Sequence, residues 1–525
     1  MQHPAGALPS AALAFIGRII KMLPLLLLLV HGNEAIAETA YRDMPVLTLR
    51  AQLYIKIGDY YAARQEYEQA AAAYQKAAEL SVENLPMDDQ VAISERLFNV
   101  FDLKPAIKNL QRICREQPRN LNARLMLARY LSWDSQPRAA IKMADEALAL
   151  DPNNLTAKAI KATVSGWHGD YTTAVRLFEE VLKKEESFDT RLDYYHTLAN
   201  LGNYLWATDI TTQFTPENEF QAHALEELRW SMALKSAPNI QYQIEYFYDS
   251  EENNRTTQSL RLEQPWHNSM TFLSLGQSVV SDGYGYRFDL SQFEIGARGA
   301  LSNATHANAA VGLLQYDDFD TEKVRTARLK LKHTLPDLQL DAEYKHEAYG
   351  DLTYTVFNQI KTSKSKLGAD FHPSDFWNLK FDYHLTNYSD DNQSQQMDAT
   401  FRYAIHQTPP RITLGYKIEK LSFKNHQDSY AYYTPEHTLT NKVLLQIYKW
   451  NSRYEWGVDA FFGNQDVSQF GLSQEDNIAG WESFFRLHWL KNLHIEASWG
   501  GANYGINKPY LYSYRLFNVR AMVMY

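Results

Sequence analysis

The stretch Trp377-Asn378-Leu379-Lys380-Phe381-Asp382-Tyr383-His384-Leu385-Thr386 alternates without a break. Successive side chains of an extended chain point to opposite faces. Trp377, Leu379, Phe381, Tyr383 and Leu385 therefore share one face, and Asn378, Lys380, Asp382, His384 and Thr386 share the other. This period of two predicts a strand with one apolar and one polar side. The pattern recurs. Met397, Ala399, Phe401, Tyr403 and Ile405 oppose Asp398, Thr400, Arg402, Ala404 and His406. Tyr454, Trp456, Val458 and Ala460 oppose Arg453, Glu455, Gly457 and Asp459. Trp481, Phe485, Leu487 and Trp489 oppose Glu482, Arg486 and His488, and Leu493, Ile495, Ala497 and Trp499 oppose His494, Glu496 and Ser498.

Such strands are about ten residues long, and turn residues separate them, as in Ser302-Asn303 and Ser389-Asp390-Asp391-Asn392. Ten residues at a tilt cross a bilayer. A soluble antiparallel sandwich alternates too, but three features favour a membrane barrel. Aromatics gather at strand ends, as in an interfacial girdle. The alternation runs over about 287 residues, from 239 to 525, with no second helical layer. The last strand sets Phe517, Val519, Ala521, Val523 and Tyr525 against Asn518, Arg520, Met522 and Met524. At roughly 18 residues per strand and turn, the expectation is about 16 strands, with 14 as the fallback, in an even count.

The first half reads differently. From about residue 46 it is rich in Ala, Leu, Glu, Lys and Gln. Ala106, Ala140 and Ala174 are spaced by 34, as are Pro118 and Pro152. That is the length of a tetratricopeptide repeat. Gly58, Tyr61, Tyr67, Ala70, Tyr74 and Ala77 occupy its small and aromatic positions. Gly169-Asp170-Tyr171 with Ala174 and Gly202-Asn203-Tyr204 with Ala207 repeat one phrase, and Asp151-Pro152-Asn153-Asn154 reads as a turn. Small residues let paired helices approach, and each pair buries its face only against the next, so several repeats are needed. The expectation is about five repeats over 46–236, closed by an amphipathic helix over Phe220–Leu234 that carries Trp230.

Arg18 and Lys21 precede the apolar run from Met22 to Val30, and Ala35-Ile36-Ala37 follows. Basic, apolar, then small-x-small is the order of a secretory signal, here expected over 1–37. The single cysteine, Cys114, excludes a disulfide framework and a cysteine zinc cluster, and reads as a buried, inert thiol. Lys and Arg number 52 against 62 Asp and Glu, and no basic stripe points to nucleic acid. The mean hydropathy of −0.45 argues against a bundle of membrane helices but not against a barrel.

Arg328, Lys330 and Lys332 share a face opposite Leu329 and Leu331, and the next strand sets Asp337, Asp341, Glu343 and Lys345 against Leu338, Leu340 and Ala342. If these strands pair, the inner face is a lattice of opposite charges. Two readings stay open: wall charges that satisfy each other and hold the barrel, or a polar track for a sliding polymer. Mixed charges with hydroxyls and aromatics suit a neutral or weakly charged sugar chain, not a simple ion. The inward candidates are Arg328, Lys330, Lys332, Asp341, Glu343, Lys380, Asp382, Arg402, Arg453, Glu455, Asp459, Glu482, Arg486 and Glu496. No Gly-x-Ser-x-Gly or His-Glu-x-x-His phrase is present, and the inward His384, His406, His488 and His494 are scattered over strands. The expectation is no enzyme, no cofactor and no metal.

A signal, a tetratricopeptide solenoid and a barrel of about 16 strands, in that order, resemble the outer-membrane exporters of poly-N-acetylglucosamine and cellulose. Tyr246-Phe247-Tyr248-Asp249-Ser250 looks like the opening of such barrels. Tyr432-Tyr433-Thr434-Pro435-Glu436 is similar to a phrase of their late strands, and the terminal aromatic Tyr525 resembles the outer-membrane assembly signature. The resemblance implies an outer-membrane pore for an extracellular polysaccharide. Its repeats would lie in the periplasm, where they guide the polymer or dock synthesis and modification proteins. About five repeats is short for that family, which implies a separate bridging partner. The alternative is a non-conducting scaffold whose repeats recruit envelope enzymes.

Overall fold

The computed structural model describes residues 46–81, 85–100, 102–185, 187–200, 215–267, 269–318, 323–407, 409–426, 432–451, 453–490, 492–505 and 512–525. The expected signal over 1–37 and the Gly202-Asn203-Tyr204 phrase lie outside them. The chain divides into two compact units, one up to Ile160 and one from Lys161 to Tyr525.

Ten helices precede the strands among the described residues. They are α1 (Val46–Ala63), α2 (Tyr67–Ser81), α3 (Met87–Asn99), α4 (Leu103–Glu116), α5 (Leu121–Trp133), α6 (Pro137–Leu150), α7 (Leu155–Trp167), α8 (Tyr171–Leu182), α9 (Phe188–Asn200) and α10 (Glu219–Ser236). The unit boundary falls within α7, so α8–α10 belong with the strands.

The register of 34 has a physical meaning at three places. Ala106, Ala140 and Ala174 are all fully buried, at the points of close helix approach. Asn120 and Asn154, also 34 apart, cap α5 and α7 by accepting the amides of Ala123 and Ala157 at 2.9 Å. Such a cap satisfies one of the amides that a helix start leaves without a partner. Ser135 and Gly169 make the left-handed turn between paired helices, with φ of 58° and 84°. Glycine enters that region freely, whereas serine does so at a cost. In the first repeat, Tyr74 fills the space left by Gly58, where an added Cβ would meet its ring at 2.3 Å. Cys114 is buried on α4, and burial pushes its thiol above the ordinary range, as expected of an inert cysteine.

Within the second unit, α8, α9 and α10 pack around Phe178, Tyr194, Leu198, Leu225, Leu228 and Met232. α10 is the expected closing helix, slightly longer at both ends. Its last turn leads through Ala237 and Pro238 into the first strand.

Sixteen strands then form one closed antiparallel barrel in which each pairs with its sequence neighbour. β1 (Asn239–Asp249) closes on β16 (Tyr512–Met524) in a register from Asn239↔Met524 to Asp249↔Tyr514. The others are β2 (Asn254–Trp266), β3 (Ser269–Ser281), β4 (Arg287–Ala300), β5 (Thr305–Tyr316), β6 (Val324–Leu335), β7 (Leu338–Ala348), β8 (Lys361–Phe371), β9 (Trp377–Tyr388), β10 (Gln393–His406), β11 (Arg411–Phe423), β12 (His437–Trp450), β13 (Tyr454–Gln469), β14 (Leu472–Leu490) and β15 (Leu493–Tyr504). A short helix, α11 (Thr353–Phe357), interrupts the connection from β7 to β8. No described helix is long and apolar enough to cross a membrane.

The strands are longer than the expected ten residues, from 11 in β1 to 19 in β14. Pairing continues past the minimum needed to cross hydrocarbon, and furthest along the β13–β14 hairpin. The outward positions are apolar: Ile240, Leu260, Ile295, Val311, Leu367, Phe381, Val443 and Phe462 are all exposed. An apolar outer band around a polar interior is the pattern of an outer-membrane barrel.

Candidate functional site: the barrel lumen

Closure makes the face opposite the apolar band an enclosed polar wall. The end where β1 begins and β16 ends, here the near mouth, has short turns. The far mouth carries the longer connections, including 349–360 and 424–436. Short turns at one end and long loops at the other are typical of outer-membrane barrels.

β6 and β7 pair as anticipated, with Lys330 opposite Glu343 and Lys332 opposite Asp341. Lys330 reaches Glu343 at 3.9 Å. Arg328 instead crosses β5 to Glu294 on β4 at 3.3 Å. The intervening inward positions on β5 are Ala310 and Gly312, small enough to pass beneath it. The lattice continues around the wall. Glu347 sits between Lys345 and Lys364, and Asp382 between Lys366 at 3.1 Å and Lys380 at 3.3 Å. Lys417 joins Asp398 to Glu419, and Lys442 takes the other oxygen of Glu419. Toward the near mouth, Arg486 bridges Glu455 at 2.9 Å and Glu496 at 2.8 Å, and Arg520 also holds Glu496. On the neighbouring wall Glu263 receives both Arg261 and Arg298.

Thirteen of the candidates read from sequence thus lie on the inner face in the strand register. Of these, Arg402 stands between Asn378 and Gly415, and Asp459 between Gln446 and Glu482. Arg453 is the exception and a correction. It precedes β13, is exposed, and lies in the turn from β12, where its amide donates to Asn451. The alternation in the residues runs one position past the strand's true start. The phrase Tyr432 to Glu436 is also displaced: it lies in the far connection before β12, not within a strand.

The wall also holds residues outside that candidate set, among them Glu263, Glu294, Glu347, Lys366, Lys417, Glu419, Lys442 and Arg520. Their signal is present in the sequence, since Lys417 and Glu419 alternate with Tyr416 and Ile418. Some partners are two residues away on the same strand, as in Lys345–Glu347 and Lys417–Glu419, but what the sequence lacks is the partners that lie one or two strands away, as in Arg298–Glu263 and Lys442–Glu419.

Asp382, His384 and Asp398 bring their ligand atoms within 4.8 Å of one another. Lys366, Lys380 and Lys417 already neutralise both carboxylates, so this trio belongs to the ion lattice. His488 and His494 meet through their Nδ1 atoms at 2.8 Å, with Trp230 of α10 edge-on to His488. A Ser-His contact, Ser363 to His346 at 2.8 Å, lies on the outward face, away from the lumen.

A cavity of about 510 Å³ opens against β1–β4, lined by Gln241, Gln243, Thr257, Ser259 and Ser274 with flanking ion pairs. Inward cations and anions around the barrel are nearly equal in number. At the far mouth the 349–360 connection folds inward. Val356 is fully buried among Val280, Phe288, Leu290, Leu314 and Tyr316. Thr353 donates to Asp282 at 2.7 Å, and Arg255 pairs with Asp351. Tyr349 packs on Tyr388 and Tyr432, and Tyr432 donates to the Asp390 carboxylate at 3.0 Å.

Fold and wall together define an outer-membrane-type β-barrel that follows tetratricopeptide-like helical repeats. No family model matches the sequence, and no curated relative matches it. Among solved structures, the chain is similar to a bacterial polysaccharide outer membrane secretin, at 12% identity and a TM-score of 0.47, over 55% of this chain and 99% of that one. It is also similar to a thermophilic TPR protein of Thermus thermophilus, at 13% identity and a TM-score of 0.29, over 34% of this chain and 98% of that one. A tetratricopeptide repeat protein of Parabacteroides merdae matches at 16% identity and a TM-score of 0.32, over 43% and 87% of the two chains.

Proposed function

We propose that this protein is an outer-membrane conduit that exports an extracellular polysaccharide. The observation that carries the reading is the closed sixteen-stranded wall, apolar outside and lined inside by near-balanced ion pairs, hydroxyls and amides. Sixteen strands enclose an aqueous lumen. A wall without a dominant sign neither traps nor repels a neutral glycan, and repeated weak contacts let a long chain slide. On this reading residues 1–37 direct export and are removed. Residues 46–236 lie in the periplasm and guide the polymer or dock partner proteins, and 239–525 form the pore. Synthesis at the inner membrane drives the chain, and this protein makes and breaks no covalent bond.

Deleting the gene and measuring surface and periplasmic carbohydrate side by side tests it. Polymer lost outside and accumulated inside is the expected result. Unchanged polymer in both fractions ends the export reading.

The inward 349–360 connection favours one second reading, a closed barrel that serves as anchor while the repeats recruit envelope proteins. Conductance of the full chain in a planar bilayer separates the two. Val356→Asp puts a charge into the apolar seat of that connection, so a conduit gains current over the native chain. A chain that stays silent with and without the substitution is the scaffold.

A further inference from the structure

Inward-facing rings line one side of the lumen, on β12–β16 and β1. From the near mouth, Trp450 stacks on Tyr448 with centroids 4.9 Å apart, and Tyr448 lies 5.9 Å from Phe484. Toward the far mouth, Phe461 lies 6.1 Å from Tyr504, Tyr504 stacks on Tyr514 at 6.3 Å, and Tyr514 stacks on Phe247 at 5.9 Å. Two glycines on the wall make this possible. A Cβ on Gly457 would meet the Phe484 ring at 2.4 Å, and one on Gly480 would meet the Phe461 ring at the same distance. Each of these two rings therefore lies against the wall, half-buried, with Arg486 over Phe484 at 4.9 Å and Lys442 over Phe461 at 4.6 Å.

Phe484 is opposite Gly457 and Phe461 opposite Gly480 in the β13–β14 register. Gly457 and Phe461 are four residues apart on one strand, or about 13 Å. Between the two runs of rings, Asp459 and Glu482 face each other and are exposed to the lumen. The cations near these rings are each fixed by a carboxylate: Arg486 by Glu455, Lys442 by Glu419, Arg255 by Glu245. Ring faces flanked by fixed donors and acceptors match a pyranose, which offers a C–H face and a rim of hydroxyls. Carboxylates between the rings accept hydroxyl protons strongly and repel an acidic sugar.

We propose that this aromatic run is the glycan-contacting wall of the lumen, and that it selects non-acidic sugar chains over polyuronates. Filling the glycine notches is a structural role for Phe484 and Phe461. It does not account for Trp450, Tyr448, Tyr504 and Tyr514, which extend the run to both mouths. The proposal rests on the export reading, and its test is independent of it.

Purified full-length protein is titrated calorimetrically with cellohexaose and with hexaguluronate. Cellohexaose binds the native chain, and hexaguluronate neither binds nor displaces it. One stacked ring is worth about two- to tenfold in affinity. The Tyr448→Leu/Phe484→Leu variant therefore binds cellohexaose about tenfold more weakly. Asp459→Asn/Glu482→Gln, which changes no packing, gives hexaguluronate measurable binding. Unfolding by heat in detergent is followed for each variant, and an unchanged transition shows that lost affinity is not lost fold. Should the leucine variant misfold, Trp450→Leu at the exposed near mouth repeats the first arm. Equal cellohexaose affinity in native and ring variants overturns the proposal, as does native binding of hexaguluronate or no native binding of cellohexaose. Any of these leaves the export reading standing if the deletion strain still traps polymer.

Discussion

The helical repeats and the barrel wall differ in what they bury, the apolar seat of Val356 apart. In the repeats the residues with no exposure include Ala70, Ala77, Ala106, Ala140 and Ala174, with Ile93, Leu97 and Leu110 beside them. In the barrel the buried set includes Glu263, Asp382, Asp398, Thr400 and Lys442, while Phe381, Val443 and Trp481 are exposed. One chain thus carries an ordinary core and an inverted one. Burial in water is driven by removing apolar surface. In a membrane the apolar surface is already in its preferred solvent, and polar groups turn inward instead.

That contrast is open to test, and the largest effect belongs to the helical core. Phe178 is fully buried against Tyr194, and Phe178→Ala is expected to destabilise the helical packing by about 3–5 kcal/mol. The urea midpoint of the helical transition, read by circular dichroism, checks it, and a shift below half that range would mean a loose core. The barrel supplies the mirror experiment. Leu445 faces outward near the middle of β12, and its neighbour Gln446 faces inward. Leu445→Arg is expected to cost about 2–4 kcal/mol in a bilayer unfolding titration. Gln446→Arg should stay within about 0.5 kcal/mol. Equal costs at the two positions would remove the basis for calling the barrel inverted.

Smaller effects sharpen the comparison on the helical side. Ala140 is fully buried where paired helices meet, so Ala140→Leu should cost about 1–3 kcal/mol through overpacking. A neutral result in thermal unfolding would show that the helices separate easily. Asp170 caps α8 by accepting the Thr173 amide at 3.1 Å, and Asp170→Ala should cost about 1 kcal/mol. Faster amide exchange confined to the first turn of α8 is the matching local readout. Protection that does not change would assign the helix start to packing alone.

Much of this molecule is legible in the residues because both halves obey simple periods. Alternation places Lys380, Asp382, Glu455 and Arg486 on the inner face, and the 34-residue register places three alanines at helix contacts. The reading fails where a period has to end. Arg453 continues the alternation of β13 on paper but belongs to a turn, and Asn451 fixes that turn by accepting its amide. The inward rings escape sequence reading for a related reason. Alternation with Glu482 and Arg486 turns Phe484 inward and Phe485 outward, but the glycine that makes room for the Phe484 ring, Gly457, lies across the strand pair and cannot be read beside it.

The sequence by itself determined the class of each half, because helical and strand periods are local properties of neighbouring residues. It also determined which side of each strand is polar. Only the tertiary structure decided which charges pair. Arg328 reaches Glu294 across a small-residue strand, a contact 34 positions away in the chain. Only the assembled sheet decided that the connection after β7 folds into the far mouth, since its seat is built from β3–β7. Such contacts depend on which strands lie side by side and on how the sheet curves, and no local pattern encodes the distance between residues so far apart in the chain.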